Sequence, residues 1–251
     1  MKKALIIDLE GTLVSSGIAL SGSIDFINYI QENNIPYYII TNTISKTIEQ
    51  MENSLNSIGF NVNKEYIINP IMVLNYFIKQ NNVKTYYFIG PDYLKDLIIE
   101  SNDFDIPEYV IFCDFERIDC NYTFLNKIFQ YIKNGSKIIT TSYSNYYISN
   151  KEYKLDIGIF VKMYEELSKE KAIILGKPSN MIYKMVMDKI KMNAEEIITI
   201  GDDGLTDIMG GKEVGIETTL VKTGKYKTGD ENIYKPDNII ENIKDAIKYF
   251  Q

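Results

Sequence analysis

Read for hydrophobicity alone, the chain alternates two patterns. Short continuous apolar runs recur along it: KALIID (3–8), PYYIIT (36–41), TYYFIG (85–90), YVIFCD (109–114), KIITT (137–141), AIILG (172–176), IITIGD (197–202) and TTLVKTG (218–224). Runs this short, without polar alternation and rich in Ile, Val and Tyr, predict strands buried on both faces. Longer amphipathic stretches separate them and predict helices. One starts at Ser23 (SIDFINYIQENN), and another, SKTIEQMENSLNSIG, has Ser45 as its N-cap and Gly59 as its stop. Asn69-Pro70 opens a third, and NYTFLNKIFQYIKNG, a stretch near 157–169 and SNMIYKMVMDKIKM follow. Strand–helix alternation predicts an α/β protein with parallel sheets covered by helices. About eleven strands are many for one sheet, which points to a second, smaller α/β unit.

Polar signals collect where apolar runs end. Asp8, Glu10, Gly11 and Thr12 follow the first, Thr41 and Asn42 the second, Gly176 and Lys177 follow AIIL, and Gly201, Asp202, Asp203 and Asp207 follow IITI. Each alone reads as a turn, a helix cap or an exposed lysine. Together they lie at the carboxyl-end rim of a parallel sheet, where ligands bind in open α/β folds.

Composition narrows the chemistry. The 251 residues are 45% hydrophobic and 24% charged, enough to bury a sizeable core. Histidine is absent, which removes Ser-His-Asp and Cys-His nucleophiles, HExxH sites and every imidazole-ligated metal. Cys113 and Cys120 form no CxxC, so neither a disulfide framework nor a cysteine zinc site is expected. Carboxylates, lysines, hydroxyls, backbone amides and a hard cation remain. The net charge of −7 argues against a nucleic-acid polymer as partner. No apolar run reaches the roughly 18 residues of a membrane helix, and Asp8 interrupts MKKALIIDLEG before a signal-peptide core can form. A cytoplasmic protein without membrane contact is the expectation.

If the rim residues converge, two carboxylates about 4 Å apart repel by roughly 4 kcal/mol at an effective dielectric near 20. A divalent ion such as Mg²⁺, helped by Lys177, would hold them ionised and leave sites for phosphate oxygens. Thr41 and the amides after Asp8 could bind the remaining oxygens. A carboxylate aimed at a neutralised phosphorus is a nucleophile for phosphoryl transfer.

DLEGTL, Thr41-Asn42, GKPS and GDDGLTDIMGG, in this order, resemble the four motifs of the haloacid dehalogenase (HAD) superfamily. Lys177 lies more than 130 residues after Thr41 with an α/β stretch between. That spacing resembles capped subclass IIA, the NagD-like and 4-nitrophenylphosphatase-like hydrolases, as do the phrases FIGPDYLKDLI, LDIGIFVKMYEEL and LVKTGKY. The resemblance spans essentially the whole chain. It implies a Rossmann-like parallel-sheet core at 1–78 and 172–251 with an inserted α/β cap at 79–171. It further implies Mg²⁺-dependent hydrolysis of a small phosphorylated metabolite. Asp8 would become an aspartyl-phosphate, and residue 10 would be the general acid/base. Thr41 and Asn42 would bind phosphate, and Lys177 would hold nucleophile and phosphate together. Asp8, the Glu10 carbonyl, Asp202 and Asp207 would serve the metal. Asp203 receives no role, because many relatives are neutral there. A homodimer through the cap is also implied. Within the cap, the loop 140–158, with Asn145, Tyr146 and Lys151, is the candidate for substrate selection.

Position 10 departs from the family, whose usual residue is aspartate. Glutamate keeps the acid but is one methylene longer, and proton transfer needs heavy atoms within about 2.6–3.2 Å. A working phosphatase is the preferred outcome, since every other motif residue is present. The alternatives are a slow enzyme with a long-lived phospho-Asp8 and an inactive relative with a binding or assembly role. A response-regulator-type switch fits poorly, because such a domain is about half this length and lacks GDDGLTD after a late lysine.

Overall fold

The computed structural model describes residues 4–115, 119–149 and 152–250. Ten strands along the described chain pair in parallel: β1 (Ala4–Asp8), β2 (Tyr37–Ile40), β3 (Ile67–Ile68), β4 (Tyr86–Ile89), β5 (Tyr109–Phe112), β6 (Lys137–Thr140), β7 (Ile173–Ile174), β8 (Ile197–Gly201), β9 (Glu217–Val221) and β10 (Asn238–Ile240). They form two sheets in two compact units. One unit runs to Asn69 and resumes at Lys177; the other is continuous, Pro70–Gly176.

In the first unit the strand order is β10-β9-β8-β1-β2-β3. Every residue of β1 and β8 is buried, which is why neither shows polar alternation. Leu5, Ile7, Ile39, Ile198 and Ile200 share one cluster with Phe26, Ile27 and Ile30 of the helix Ser23–Glu32 and with Met51 and Leu55 of the helix Ile48–Ser57. Each such side chain contributes about 1.5–3 kcal/mol by leaving water. Elsewhere the short helix Met209–Glu213 packs so closely that a Cβ on Gly211 would lie 2.5 Å from Thr199 Cγ2 and 2.9 Å from Thr218 Cγ2. The helix Ile48–Ser57 starts later than its sequence suggested, with Thr47 rather than Ser45 as N-cap. Thr47 Oγ1 accepts from Gln50 N (3.2 Å) and Gln50 Oε1 accepts from Thr47 N (2.9 Å), a reciprocal box that Ser45 is two residues too early to make.

In the second unit the order is β7-β6-β5-β4. Ile89, Val110, Phe112 and Ile138 pack with Ile128 and Ile132 of the helix Tyr122–Lys133 and with Ile157, Val161 and Tyr164 of the helix Ile157–Ser168. The unit boundaries fall at 69/70 and 176/177, not at 78/79 and 171/172. The helix Pro70–Gln80 belongs here because Phe77 sets its ring edge-on to Tyr109 (5.5 Å, 87°). Asn75 fastens the same helix by donating to Leu97 O (2.7 Å) and accepting from Ile99 N (3.0 Å). AIIL belongs here too: β7 pairs with β6 and completes this sheet. Lys177 therefore follows a strand of the second sheet, not of the sheet that carries Asp8.

The stretch 140–158 is also more ordered than a loop. Tyr146–Ser149 pairs antiparallel with Glu152–Leu155, and Asp156 N and Gly158 N donate to Asn145 O and Ser144 O. Lys151 lies outside the described residues. Among those residues no helix is long and apolar enough to cross a membrane.

Candidate active site

Because β1 lies between β8 and β2, the residues that end these three strands arrive side by side. Asp8 is the last residue of β1, Asp202 follows β8 and Thr41 follows β2, all at carboxyl ends. The chain leaves β1 for β2 on one side and returns to β8 on the other, which makes this rim the switch point of the sheet. Asp8, Thr41, Asp202, Asp207 and Lys177 are all buried.

One carboxylate oxygen from each of Asp8, Asp202 and Asp207 lies within 4.8 Å of the others. Lys177 Nζ donates to Asp8 Oδ1 in a very short contact, and to Asp207 Oδ1 at 2.6 Å. Asp207 Oδ2 accepts from Asp203 N (3.1 Å). Asp202 Oδ1 accepts from Thr12 Oγ1 (3.2 Å) and its Oδ2 from Lys225 N (2.6 Å). Asp8 Oδ2 is buried with no hydrogen-bond partner among the described residues.

Burial raises the Asp8 carboxyl to about 6, with Lys177 opposing the shift and Asp202 adding to it. Burial likewise raises Asp207 to about 7 against Lys177, with Asp8 adding, and it raises Asp202 against the Lys225 amide. Burial disfavours the charge on Lys177, but the Asp207 and Asp8 carboxylates outweigh it and hold the ammonium protonated. With all three ionised, three carboxylates against one ammonium would leave an excess of two negative charges in a buried pocket. Hard oxygen donors, that excess and the unpartnered Asp8 Oδ2 fit a divalent cation such as Mg²⁺.

Asn42 explains how Lys177 reaches the pocket. Its carboxamide donates to Lys177 O (2.9 Å) and accepts from Lys177 N (2.7 Å), a two-point clamp on the main chain. Both ends of the amide are thus engaged by Lys177, which gives this side chain a positioning role, and one N–H of the carboxamide remains beyond these two bonds. Thr41 Oγ1 accepts from Thr43 N (3.1 Å), which engages a lone pair and not the hydroxyl proton. Asp203 is a cap: its Oδ1 accepts from Leu205 N and Thr206 N at the wide π-type turn Gly204–Ile208, and its Oδ2 pairs with Lys225 Nζ at 3.0 Å.

Glu10 stands apart from the cluster. It is exposed, and its Oε1 accepts from Ser16 N (2.9 Å) in the small hairpin Val14–Ser15/Ile18–Ala19. Asn145 and Tyr146 lie in the second unit. Asn145 Oδ1 accepts from Lys162 Nζ (2.6 Å), and exposed Tyr146 sets its ring against Tyr153 (5.4 Å). Sequence reasoning gave no role to Thr12, Thr223 or Lys225. Thr223 and Lys225 sit just past β9 in the phrase LVKTGKY, so the strand-end rule, applied to one more strand, would have found them.

Residues 5–103 match the family model described as haloacid dehalogenase-like hydrolase, and residues 174–246 match one described as HAD-hydrolase-like. A phospholysine phosphohistidine inorganic pyrophosphate phosphatase of Xenopus laevis is 28% identical over 254 residues, covering 98% of this chain and 93% of that protein. A variant of the thermostable p-nitrophenylphosphatase of Bacillus stearothermophilus superposes with a TM-score of 0.83 at 27% identity, covering 98% of each chain. NagD of E. coli K-12 gives 0.85 at 24% identity over 97% of each chain, a likeness of fold.

Proposed function

This chain belongs to the haloacid dehalogenase superfamily, is a phosphatase and has the fold of that superfamily's capped NagD-like branch; from that premise we propose that it hydrolyses small phosphate monoesters through an aspartyl-phosphate on Asp8. One observation carries the mechanism: a buried strand-end carboxylate has one oxygen on Lys177 and the other without a partner.

Asp8, Asp202 and Asp207, with the Glu10 carbonyl, would hold Mg²⁺, which when bound neutralises phosphate charge and keeps these carboxylates ionised. Lys177 orients Asp8 Oδ1 and supplies a positive charge to the incoming phosphate, and the Thr41 hydroxyl donates to a phosphate oxygen. Asp8 Oδ1 attacks phosphorus, the bond from phosphorus to the leaving oxygen breaks, and Glu10 gives that oxygen its proton. Glu10, now ionised, takes a proton from water. The resulting hydroxide attacks the phosphorus, and the bond to Asp8 breaks, releasing phosphate. For these steps Glu10 must leave Ser16 N, a rotation of an exposed side chain. The second unit, with Asn145 and Tyr146, takes the substrate-selecting role, and a homodimer through it is part of the proposal. Free Cys113 and Cys120 accord with a cytoplasmic setting.

The test is steady-state hydrolysis of 4-nitrophenyl phosphate and a panel of small phosphate esters, with and without Mg²⁺. Phospholysine, phosphohistidine and pyrophosphate belong in the panel because the Xenopus laevis relative is named for them. Turnover that needs Mg²⁺ and falls at least about 10³-fold in Asp8→Asn supports the proposal. The position of Glu10 on Ser16 favours a second reading, a slow phosphatase whose phospho-Asp8 is long-lived; accumulation of phosphorylated Asp8 with only slow release of phosphate from every panel member would mark it.

A further inference from the structure

The turn after β9 does more than connect elements. Thr223 Oγ1 donates to Gly11 O at 2.6 Å, across 212 residues of sequence. Two residues later Lys225 N donates to Asp202 Oδ2, also at 2.6 Å. Between them Gly224 has φ +52°, and a Cβ there would lie 2.1 Å from Asp202 Oδ2 and 2.5 Å from Gly11 Cα. Gly11 meets it from the opposite turn: with φ +94°, its own Cβ would lie 2.2 Å from the same oxygen. Thr12, the next residue, donates to the other Asp202 oxygen. The Asp202 carboxylate is therefore enclosed by two glycines and hydrogen-bonded once from each of the two turns, and Thr223 ties those turns to each other.

We propose that Thr223-Gly224-Lys225 is a positioning clamp that locks the Asp8–Thr12 turn and Asp202 into one arrangement, so that the carboxylates are set for a divalent cation before it arrives. The inference rests on the metal role proposed for Asp202. None of the three clamp residues supplies a metal-ligating carboxylate; they act through Asp202 and Gly11. Partners that orient metal-ligating carboxylates typically govern affinity by about 10–100-fold. Gly224 admits no side chain, because the space a Cβ would need is taken by the carboxylate.

The experiment is calorimetric titration of the full chain with MgCl2, together with the Mg²⁺ concentration that gives half-maximal hydrolysis of 4-nitrophenyl phosphate. Thr223→Val removes the donor at nearly constant shape and is expected to weaken Mg²⁺ binding about 10-fold. It should raise the half-maximal Mg²⁺ concentration to match, with kcat at saturating Mg²⁺ recovering to within a few-fold. Thr223→Ser keeps the hydroxyl and is expected to bind like the unaltered chain. Gly224→Ala is expected to bind Mg²⁺ more weakly than either. Thr223→Ala, which adds no steric demand, is read in the same way should the valine variant fail to fold. The clamp is overturned if the donor-less variants bind Mg²⁺ normally, if the serine variant is as weak as the valine one, or if saturating Mg²⁺ leaves kcat depressed. Asp202→Asn separates the two readings. Normal Mg²⁺ affinity there overturns the metal role itself, whereas its loss there alongside normal binding in Thr223→Val overturns only the clamp.

Discussion

Glu10 is exposed between two buried neighbours, Leu9 and Gly11, and its carboxylate rests on Ser16 N. An aspartate at this position is one methylene shorter and would lose most of that contact, freeing the acid for the proton transfer proposed for it. Glu10→Asp is therefore expected to leave kcat equal or higher, and Glu10→Gln to lower it by about 10²–10⁴-fold, as measured with 4-nitrophenyl phosphate. Lys177 presents a different risk. It is the counter-charge between two buried carboxylates, and removing one member of such a set costs about 3–5 kcal/mol. Lys177→Ala should therefore lower metal-free stability by about that amount in urea denaturation, besides abolishing turnover; unchanged stability would mean that the carboxylates are protonated or hydrated. At this scale the sequence revealed position better than direction. Asp8 and Asp202 stood out because continuous apolar runs end in them. Where Glu10 and Asn42 point depends on hydrogen bonds to Ser16 and Lys177, and neither apolar spacing nor motif encodes those.

At the scale of elements, hydrophobic runs located strands without assigning them to sheets. AIIL has the same pattern as the runs of the first unit, yet β7 pairs with β6, because a strand so short and so apolar fits any parallel edge that meets it. The hairpin at 146–155 was missed because its residues are tyrosine-rich and half-polar, with exposed Tyr153 and Leu155, so no core face marks it. Caps are read more securely when both halves of the box are sought. Thr47 and Gln50 meet that test and Ser45 does not. Thr47→Ala is expected to cost about 1 kcal/mol in denaturant melts while leaving hydrolysis unchanged. A loss of activity instead would mean that the helix Ile48–Ser57 transmits its position to Thr41.

For the molecule as a whole, the buried acids make stability depend on pH, and the proposed Mg²⁺ site would couple that dependence to the metal. Asp8 and Asp207 shift from 3.8 to about 6 and about 7, so the folded chain holds their protons more tightly than the unfolded chain does. The stability this contributes is complete below about pH 4 and is lost as pH rises through 6 to 7. Mg²⁺ needs the same carboxylates ionised, so its stabilisation grows over the window in which the proton's fades. The rise in melting temperature on adding Mg²⁺ should be small at pH 5 and large at pH 8; equal rises would count against these acids as the metal site. The division into two units has a further consequence for how the protein is made. Pro70–Gly176 is continuous and has its own core, so it can fold as soon as it leaves the ribosome. β1 has β2 as an early neighbour but must wait for β8, which begins only at Ile197. During that interval a strand apolar in all but its final residue presents an open edge, the kind of surface on which nascent chains associate. Asp8 is thus synthesised well before β8, the strand that completes its surroundings.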